Sequence, residues 1–219
     1  MKPALKLLGL SGMLAALAQG AAAQDRVEVG RFSNGTVAGW ESRSFKGETA
    51  YTVITDPDIK APALRAVADA SASGRFRKIK VDLNRTPFLN WSWKVSNSFP
   101  DIDERTKAGD DFAARLYVVV ERGIMGMGSL SLNYVWANRQ ATGSLWPSPY
   151  SGQVQLLALD SGAKDLGQWV HHKRDLRADL RQAFGEDIPA IDAVALMTDT
   201  DNHGGRAEAL YGDIWFSED

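Results

Sequence analysis

Three long runs in the middle of the chain alternate between apolar side chains and a mixed set, and this period of two limits the fold most. The runs are Phe88 to Val95, Phe112 to Glu121 and Leu130 to Asn138, and they are rich in the aromatic and β-branched residues typical of strands. Successive side chains of a strand point to opposite faces, so each run predicts one buried and one displayed face. Shorter extended runs separated by turn residues flank them, which favours an all-β sandwich or barrel over an alternating β/α fold.

One segment carries helical spacing instead. Asp175 to Phe184 places Leu176, Leu180 and Phe184 at intervals of four residues, and Gly185 follows as a stop signal. The sequence therefore predicts a single short helix between two strands. Residues 139 to 152 contain glycines and prolines and predict a loop that covers one end of the sandwich.

The alternation assigns some aromatic residues to buried strand faces and others to exposed ones. Trp91, Trp93 and Trp136 share their strand faces with apolar residues and are predicted to lie in the core. If the strands are neighbours, one displayed face carries Lys94, Arg115, Tyr117, Asn133, Tyr211, Asp213 and Trp215, and Asp111 and Asn138 complete the candidate ligand-binding set. Aromatic plates with amides and charges are what sugar rings require. The alternative is that a second layer covers this face and Arg115 pairs with Asp213 or Asp111.

The segment from Ala193 to Gly205 resembles a binding-site edge, because a strand of small and apolar residues ends in a polar, glycine-containing loop. Asp199, Asp201 and Asn202 offer hard oxygen ligands there, which predicts a structural calcium site. The EF-hand spacing fails at His203 and Leu210. The alternative is a turn stabilised by its own Asp and Asn side chains.

Catalytic motifs are scarce. The three histidines, His171, His172 and His203, form no known nucleophile or metal motif, and His171 and His172 are expected on a strand with one pointing in and one out. Two carboxylate pairs, Asp110 with Asp111 and Asp199 with Asp201, have the residue types that a glycosidase uses, but their spacing along the chain does not give the separation between them. The sequence favours a non-catalytic protein and assigns no catalytic residue.

The first residues have the pattern of a secretory signal. Lys2 and Lys6 precede an apolar run from Leu7 to Ala18 that is short for a membrane span, and small residues lead to a predicted cleavage site after Ala23. We therefore expect a signal peptide over 1–23, one domain over 24–219 with no transmembrane segment, and a periplasmic or secreted location. The chain has no cysteine, so disulfides and thiolate metal sites are excluded. Loss of Lys2 and Lys6 leaves 23 basic and 27 acidic side chains, which argues against nucleic acid as the partner.

Five motifs carry a family resemblance: residues 91–95, 109–118, 132–138, 194–202 and 211–214. Together they resemble the bacterial domain-of-unknown-function family 3047. The resemblance implies an exported β-rich domain and supplies no activity, ligand or catalytic residue. Residues 32–35, 39–40 and 212–216 are also similar to the first and last strands of galactose-binding-like jelly-roll modules, which often bind carbohydrate and hold a calcium ion.

These observations predict an antiparallel β-sandwich of the jelly-roll type that binds a glycan or another cell-envelope component. The alternative function is that of a glycoside hydrolase or lyase using Asp110, Asp111, Asp199 or Asp201 as acid and base. The sequence does not predict an oligomeric state.

Overall fold

The computed structural model describes residues 25–219, so the signal peptide predicted over 1–23 lies outside the described residues. Fourteen strands form two seven-stranded sheets, and one α-helix accompanies them. The first sheet contains β1 (Arg26–Gly30), β3 (Ala50–Asp56), β4 (Ala61–Asp69), β6 (Phe88–Val95), β11 (Val170–Asp175), β13 (Arg206–Tyr211) and β14 (Ile214–Ser217). The second contains β2 (Glu41–Lys46), β5 (Ala72–Asp82), β7 (Arg115–Val120), β8 (Leu130–Ala137), β9 (Leu145–Ser148), β10 (Ser151–Ser161) and β12 (Ala190–Asp199).

The predicted β-sandwich of the jelly-roll type is confirmed, with one departure from antiparallel pairing. The strand order of the second sheet is β2-β5-β12-β7-β8-β10-β9, and the β8–β10 pair is parallel. Residues 151–161, which form β10, were not predicted as a strand. Their polar first half and apolar second half lack the period of two that identifies a strand with one buried face.

The core lies between the sheets and is built from the apolar faces predicted by alternation. Trp91, Trp93 and Trp136 are at most 1% exposed, as expected. The ring of Trp91 contacts those of Trp93 at 5.6 Å and Tyr134 at 5.1 Å between centroids. Because Trp91 is on β6 and Tyr134 is on β8, this aromatic cluster joins the two sheets.

The predicted helix is confirmed as α1 (Leu176–Phe184). Its N-cap Asp175 accepts a hydrogen bond from the backbone N–H of Ala178 at 3.0 Å, and Gly185 ends the helix in a left-handed conformation. His171 is exposed and His172 is half-buried on β11, which agrees with the expected alternation. Within residues 25–219, no helix has the length and apolar character needed to cross a membrane.

An interruption in the last strand pair overturns the expected orientation of Tyr211. Gly212 and Asp213 separate β13 from β14, and both strands pair with the same edge of β6. The alternation does not continue through this interruption, so Tyr211 and Ile214 are both buried. The prediction that Tyr211 is displayed is therefore wrong.

A second, smaller apolar cluster covers one end of the outer face of the second sheet. It contains Phe112, Val135, Ala137, Trp146, Leu156 and Ala158. Alternation along the run from Phe112 to Glu121 puts Phe112 on the same face as Leu116, towards the main core, but β7 begins only at Arg115, so alternation does not reach back to Phe112. The segment predicted as a covering loop includes β9, and its Trp146 packs in this cluster.

Candidate functional site

A groove of about 870 Å³ runs over the uncovered part of the outer face of the second sheet. Its floor comes from the outward-facing positions of β5, β7 and β12, which strand register places side by side: Gly74 beside Met197, and Ala195 beside Tyr117. Ala193 extends the same row of small side chains. Short side chains at the centre of a sheet leave room that larger ones would fill, so the floor is apolar and recessed.

Two exposed aromatic residues stand on opposite sides of this floor. Phe45, on edge strand β2, is 63% exposed, and Tyr150, in the turn after β9, is 56% exposed. The Tyr150 hydroxyl donates to the Oδ1 of Asn202 at 3.0 Å, which fixes the ring against the loop after β12. The groove is therefore bordered by two aromatic rings, one on each outer edge of the sheet.

Arg115 is buried at one end of the groove and is held by two acidic residues. Its Nε and Nη2 donate to the two carboxylate oxygens of Asp199 at 3.1 and 2.8 Å. Its Nη2 also donates to the backbone carbonyl of Asp110, and Nη1 lies 3.4 Å from the Asp110 Oδ2. The guanidinium is stacked on the Phe112 ring at 4.2 Å. The alternative prediction that Arg115 pairs with Asp213 or Asp111 is wrong.

Burial sets the protonation properties of this group of residues. Burial raises the pKa of Asp199 above its ordinary value, while the charge of Arg115 acts in the opposite direction. Burial also raises the pKa of Asp110, and the nearby Asp111 and Asp201 add to that shift against the effect of Arg115. Burial alone would lower the pKa of Arg115, but the charges of its acidic neighbours raise it above its ordinary value, so this guanidinium stays ionised.

Asp111 organises the loop that follows β12. Its carboxylate accepts hydrogen bonds from the backbone N–H groups of Asn202 at 3.1 Å and His203 at 2.5 Å, and from the Asn202 amide at 3.2 Å. Asp111 is fully buried. Its role is thus to fix the turn that carries Asp201 and Asn202 to the groove.

The predicted calcium site remains a prediction. Asp111, Asp199 and Asp201 each offer an oxygen, and these atoms lie within 4.8 Å of one another. The donors are of the kind that Ca²⁺ prefers. However, both Asp199 oxygens accept from Arg115, which already supplies a positive charge. Asn202, the third predicted ligand, uses its Oδ1 to accept the Tyr150 hydroxyl.

Gly109, just before Asp110 at this end of the groove, is packed against the backbone of Asp103. A Cβ added at Gly109 would lie 2.8 Å from the carbonyl carbon of Asp103 and overlap its oxygen, and backbone cannot rotate away as a side chain can. We expect Gly109→Ala to lower the free energy of unfolding by about 1–3 kcal/mol, measured by urea denaturation. Gly152→Ala is the control, because its added Cβ would meet open space. Equal midpoints for both variants would contradict the packing.

The structure brings together only part of the predicted ligand-binding set. Arg115, Tyr117 and Asn133 line the groove. Lys94, Tyr211 and Trp215 lie on strands of the first sheet, and Asp213 lies in the break between β13 and β14, so the prediction that one face carries all of them is wrong. The strands that were assumed to be neighbours lie in different layers of the sandwich.

The remaining members of that set have structural partners. Lys94 forms ion pairs with Asp56 at 3.0 Å and Asp58 at 2.5 Å. Asp213 accepts from the backbone N–H of Ser33 at 2.8 Å, and the Arg26 guanidinium lies 4.4 Å from the Trp215 ring centre. Asn138, at 3% exposure, bridges the backbones of Phe99 and Asp111.

Sequence reasoning missed the residues that give the groove its shape. Phe45 and Tyr150 lie in short segments whose position depends on long-range pairing. Ala193, Ala195 and Met197 belong to the strand of small and apolar residues that the sequence predicts before the polar loop, and all three line the groove, with Ala195 only partly buried. The available signal was the alternation of these residues with the larger Val194 and Leu196, which does mark two different faces.

Several solved structures share the general architecture. A family 11 carbohydrate-binding module from Clostridium thermocellum, solved with a β-1,3-1,4-mixed-linked tetrasaccharide, is 12% identical, with 89% of this chain and 96% of that chain covered and a TM-score of 0.46. A family 30 module of a C. thermocellum cellulosomal cellulase is 14% identical, with 87% and 96% covered and a TM-score of 0.49. An adhesin domain of Lys-gingipain from Porphyromonas gingivalis is 12% identical, with 90% and 99% covered and a TM-score of 0.42.

At these identities and TM-scores, none of the likenesses carries a function over to this chain. No curated protein is significantly similar to the sequence. The sequence profile of one family does match, over residues 38–215. The chain therefore belongs to the family described as "Protein of unknown function (DUF3047)".

Proposed function

We propose that this protein is an exported, non-catalytic module that binds a glycan or a similar cell-envelope polymer in the groove. The observation that carries the proposal is the pair of exposed aromatic rings, Phe45 and Tyr150, on opposite sides of a recessed apolar floor. Solitary exposed aromatic residues are common, but two that border one concavity suit a ligand with flat apolar faces.

The chemistry of the floor supports a sugar more than a purely apolar ligand. Asn133 and Arg115 line the same groove as Tyr117, so amide and charged groups lie next to an aromatic ring. A pyranose ring presents C–H groups on its faces, which stack on aromatic rings, and hydroxyls at its edge, which need oriented hydrogen-bond partners.

The N-terminal sequence supports the exported part of the proposal. Lys2, Lys6 and the apolar run after them have the pattern of a secretory signal, and the small residues before Gln24 suit cleavage. A periplasmic or secreted protein meets cell-envelope and extracellular polysaccharides directly. The mild acidity of the remaining chain is consistent with a glycan partner and unfavourable for nucleic acid.

A second candidate function is hydrolysis of the bound glycan. Asp110 and Asp201 both line the groove, and burial raises the pKa of Asp110, as a general acid requires. Two observations count against this candidate. The Asp199 carboxylate accepts hydrogen bonds from Arg115, and the Asp111 carboxylate accepts hydrogen bonds from the turn that it stabilises. Of the four aspartates considered as acid and base, Asp110 and Asp201 are therefore left.

The test is a glycan array followed by calorimetry with a retained oligosaccharide. We expect Phe45→Ala and Tyr150→Ala each to weaken binding about tenfold, which corresponds to about 1.4 kcal/mol. Both residues are more than half exposed, so these changes should leave the fold intact. Ile124→Ala is the matched control, because Ile124 is 79% exposed and lies on the turn between β7 and β8, outside the groove lining.

Two results would count against binding in the groove. One is an array with no retained glycan, and the other is a ligand whose affinity is unchanged in both aromatic variants. Product analysis separates binding from hydrolysis: an unchanged oligosaccharide supports a binding module, whereas new reducing ends that disappear in Asp110→Asn would support the enzyme.

A further inference from the structure

We propose that the acidic end of the groove accepts the ammonium group of an amino-sugar unit, an inference that rests on the proposed glycan binding. The central observation is Asp110, which lines the groove but is only 7% exposed. Its Oδ1 is buried and has no hydrogen-bond partner within residues 25–219. A buried carboxylate oxygen without a donor is costly, so a ligand that supplies one gains affinity there.

The charges at this end favour a positively charged donor. Asp110, Asp199 and Asp201 lie here with Arg115, whose two best hydrogen bonds go to Asp199. The contact between Arg115 and Asp110 Oδ2 is long, at 3.4 Å. Lys46 Nζ donates to the Asp201 backbone carbonyl at 2.6 Å, and within residues 25–219 it forms no ion pair with the Asp201 carboxylate. The carboxylate of Asp110 thus has one long contact with Arg115 through Oδ2, and its Oδ1 has no donor within the described residues.

An ammonium group meets both requirements at once. It donates up to three hydrogen bonds and carries the positive charge that the carboxylates lack. A neutral sugar hydroxyl would satisfy the hydrogen bond but leave the charge uncompensated. A metal ion would favour Asp111, Asp199 and Asp201, whose oxygens lie close together, and Asp110 is not a member of that group.

The experiment uses three β-1,4-linked oligosaccharides of equal length that differ at C2 alone. At mildly acidic pH, where the comparison is made, chitosan oligomers carry an ammonium group there, chitin oligomers an acetamide, and cello-oligomers a hydroxyl. We expect the wild-type protein to bind the chitosan oligomer at least about tenfold more tightly than the other two, equivalent to about 1.4 kcal/mol.

Asp110→Asn should remove most of this preference and leave weaker binding of all three oligomers. Asp101→Asn is the charge-matched control: it removes the same negative charge at an exposed site outside the groove lining and should keep the preference. Circular dichroism and melting curves of both variants would show that each remains folded.

The outcomes separate this inference from the proposed function. Equal affinity for the three oligomers, or a preference that Asp110→Asn keeps, would overturn the amino-sugar site while glycan binding stands. Binding of none of the three would overturn the site as well, and the aromatic variants and the glycan array then decide the proposed function. A preference lost equally in Asp101→Asn would show attraction by net charge alone. If Ca²⁺ displaced the chitosan oligomer and, added without any oligomer, raised the melting temperature of the protein, the acidic end would be a metal site instead.

Discussion

Arg115→Ala is expected to lower the free energy of unfolding by about 3–5 kcal/mol, because it leaves buried acidic groups without their cation. Asp199 is 1% exposed and Asp110 is 7% exposed, so both carboxylates depend on the guanidinium more than on solvent. Both Asp199 oxygens lose a hydrogen bond in this variant. The stacking of Arg115 on Phe112 is lost as well.

Urea denaturation and thermal melting measure this effect. For a chain of this size, each kcal/mol lowers the melting temperature by about 2–4 °C, so a fall of about 6–20 °C is expected. Arg105→Ala is the control, since Arg105 forms an exposed pair with Asp103 and its loss should not shift the transition measurably. Arg115→Met combined with Asp199→Leu should recover most of the loss, because it removes both charges. A loss below about 1 kcal/mol in Arg115→Ala would contradict a buried ion pair.

Trp91→Ala is expected to lower the free energy of unfolding by about 3–5 kcal/mol, because buried contacts are lost and a cavity is left behind. Trp91 is 1% exposed and contacts Trp93, Tyr134 and His172. Because Tyr134 belongs to the second sheet, the cavity would open at the interface between the two layers. Loss of cooperative unfolding is the accompanying expectation if the sheets separate.

Trp91→Phe is the matched variant for this measurement. The indole Nε1 of Trp91 is buried and has no partner in the described part of the chain, so phenylalanine removes an unsatisfied donor together with some volume. We therefore expect the Phe variant to lose clearly less stability than the Ala variant by urea denaturation. Equal losses would show that the indole makes a hydrogen bond essential to the core.

Alternation within a strand was predictable from sequence, while the arrangement of strands in the sheets was not. The period of two identified the buried faces of β6, β7 and β8 because burial acts on each strand separately. It failed at Tyr211 and Phe112, where the backbone departs from a regular strand. Such departures depend on tertiary contacts and leave little trace in a local pattern.

The candidate site was even less predictable from the sequence, because it depends on which strands are neighbours. Gly74, Met197 and Arg115 lie in one row although more than 120 residues separate Gly74 from Met197. Composition suggested aromatic residues and amides for a sugar, and Tyr117 and Asn133 do line the groove. The sequence prediction assumed which strands are neighbours, and that assumption placed Lys94, Tyr211 and Trp215 in the wrong layer.

The parallel pairing of β8 and β10 determines one side of the groove. Two parallel neighbours cannot be joined by a tight hairpin, so the chain must return along the whole length of β8 before β10 begins. Residues 138–150 make that return, which includes β9 at the edge of the second sheet, and they carry both Trp146 and Tyr150. An antiparallel hairpin at this point would need only a short turn, and Tyr150 would then not border the groove. The path of the backbone between β8 and β10 therefore gives this protein a groove instead of a flat sheet.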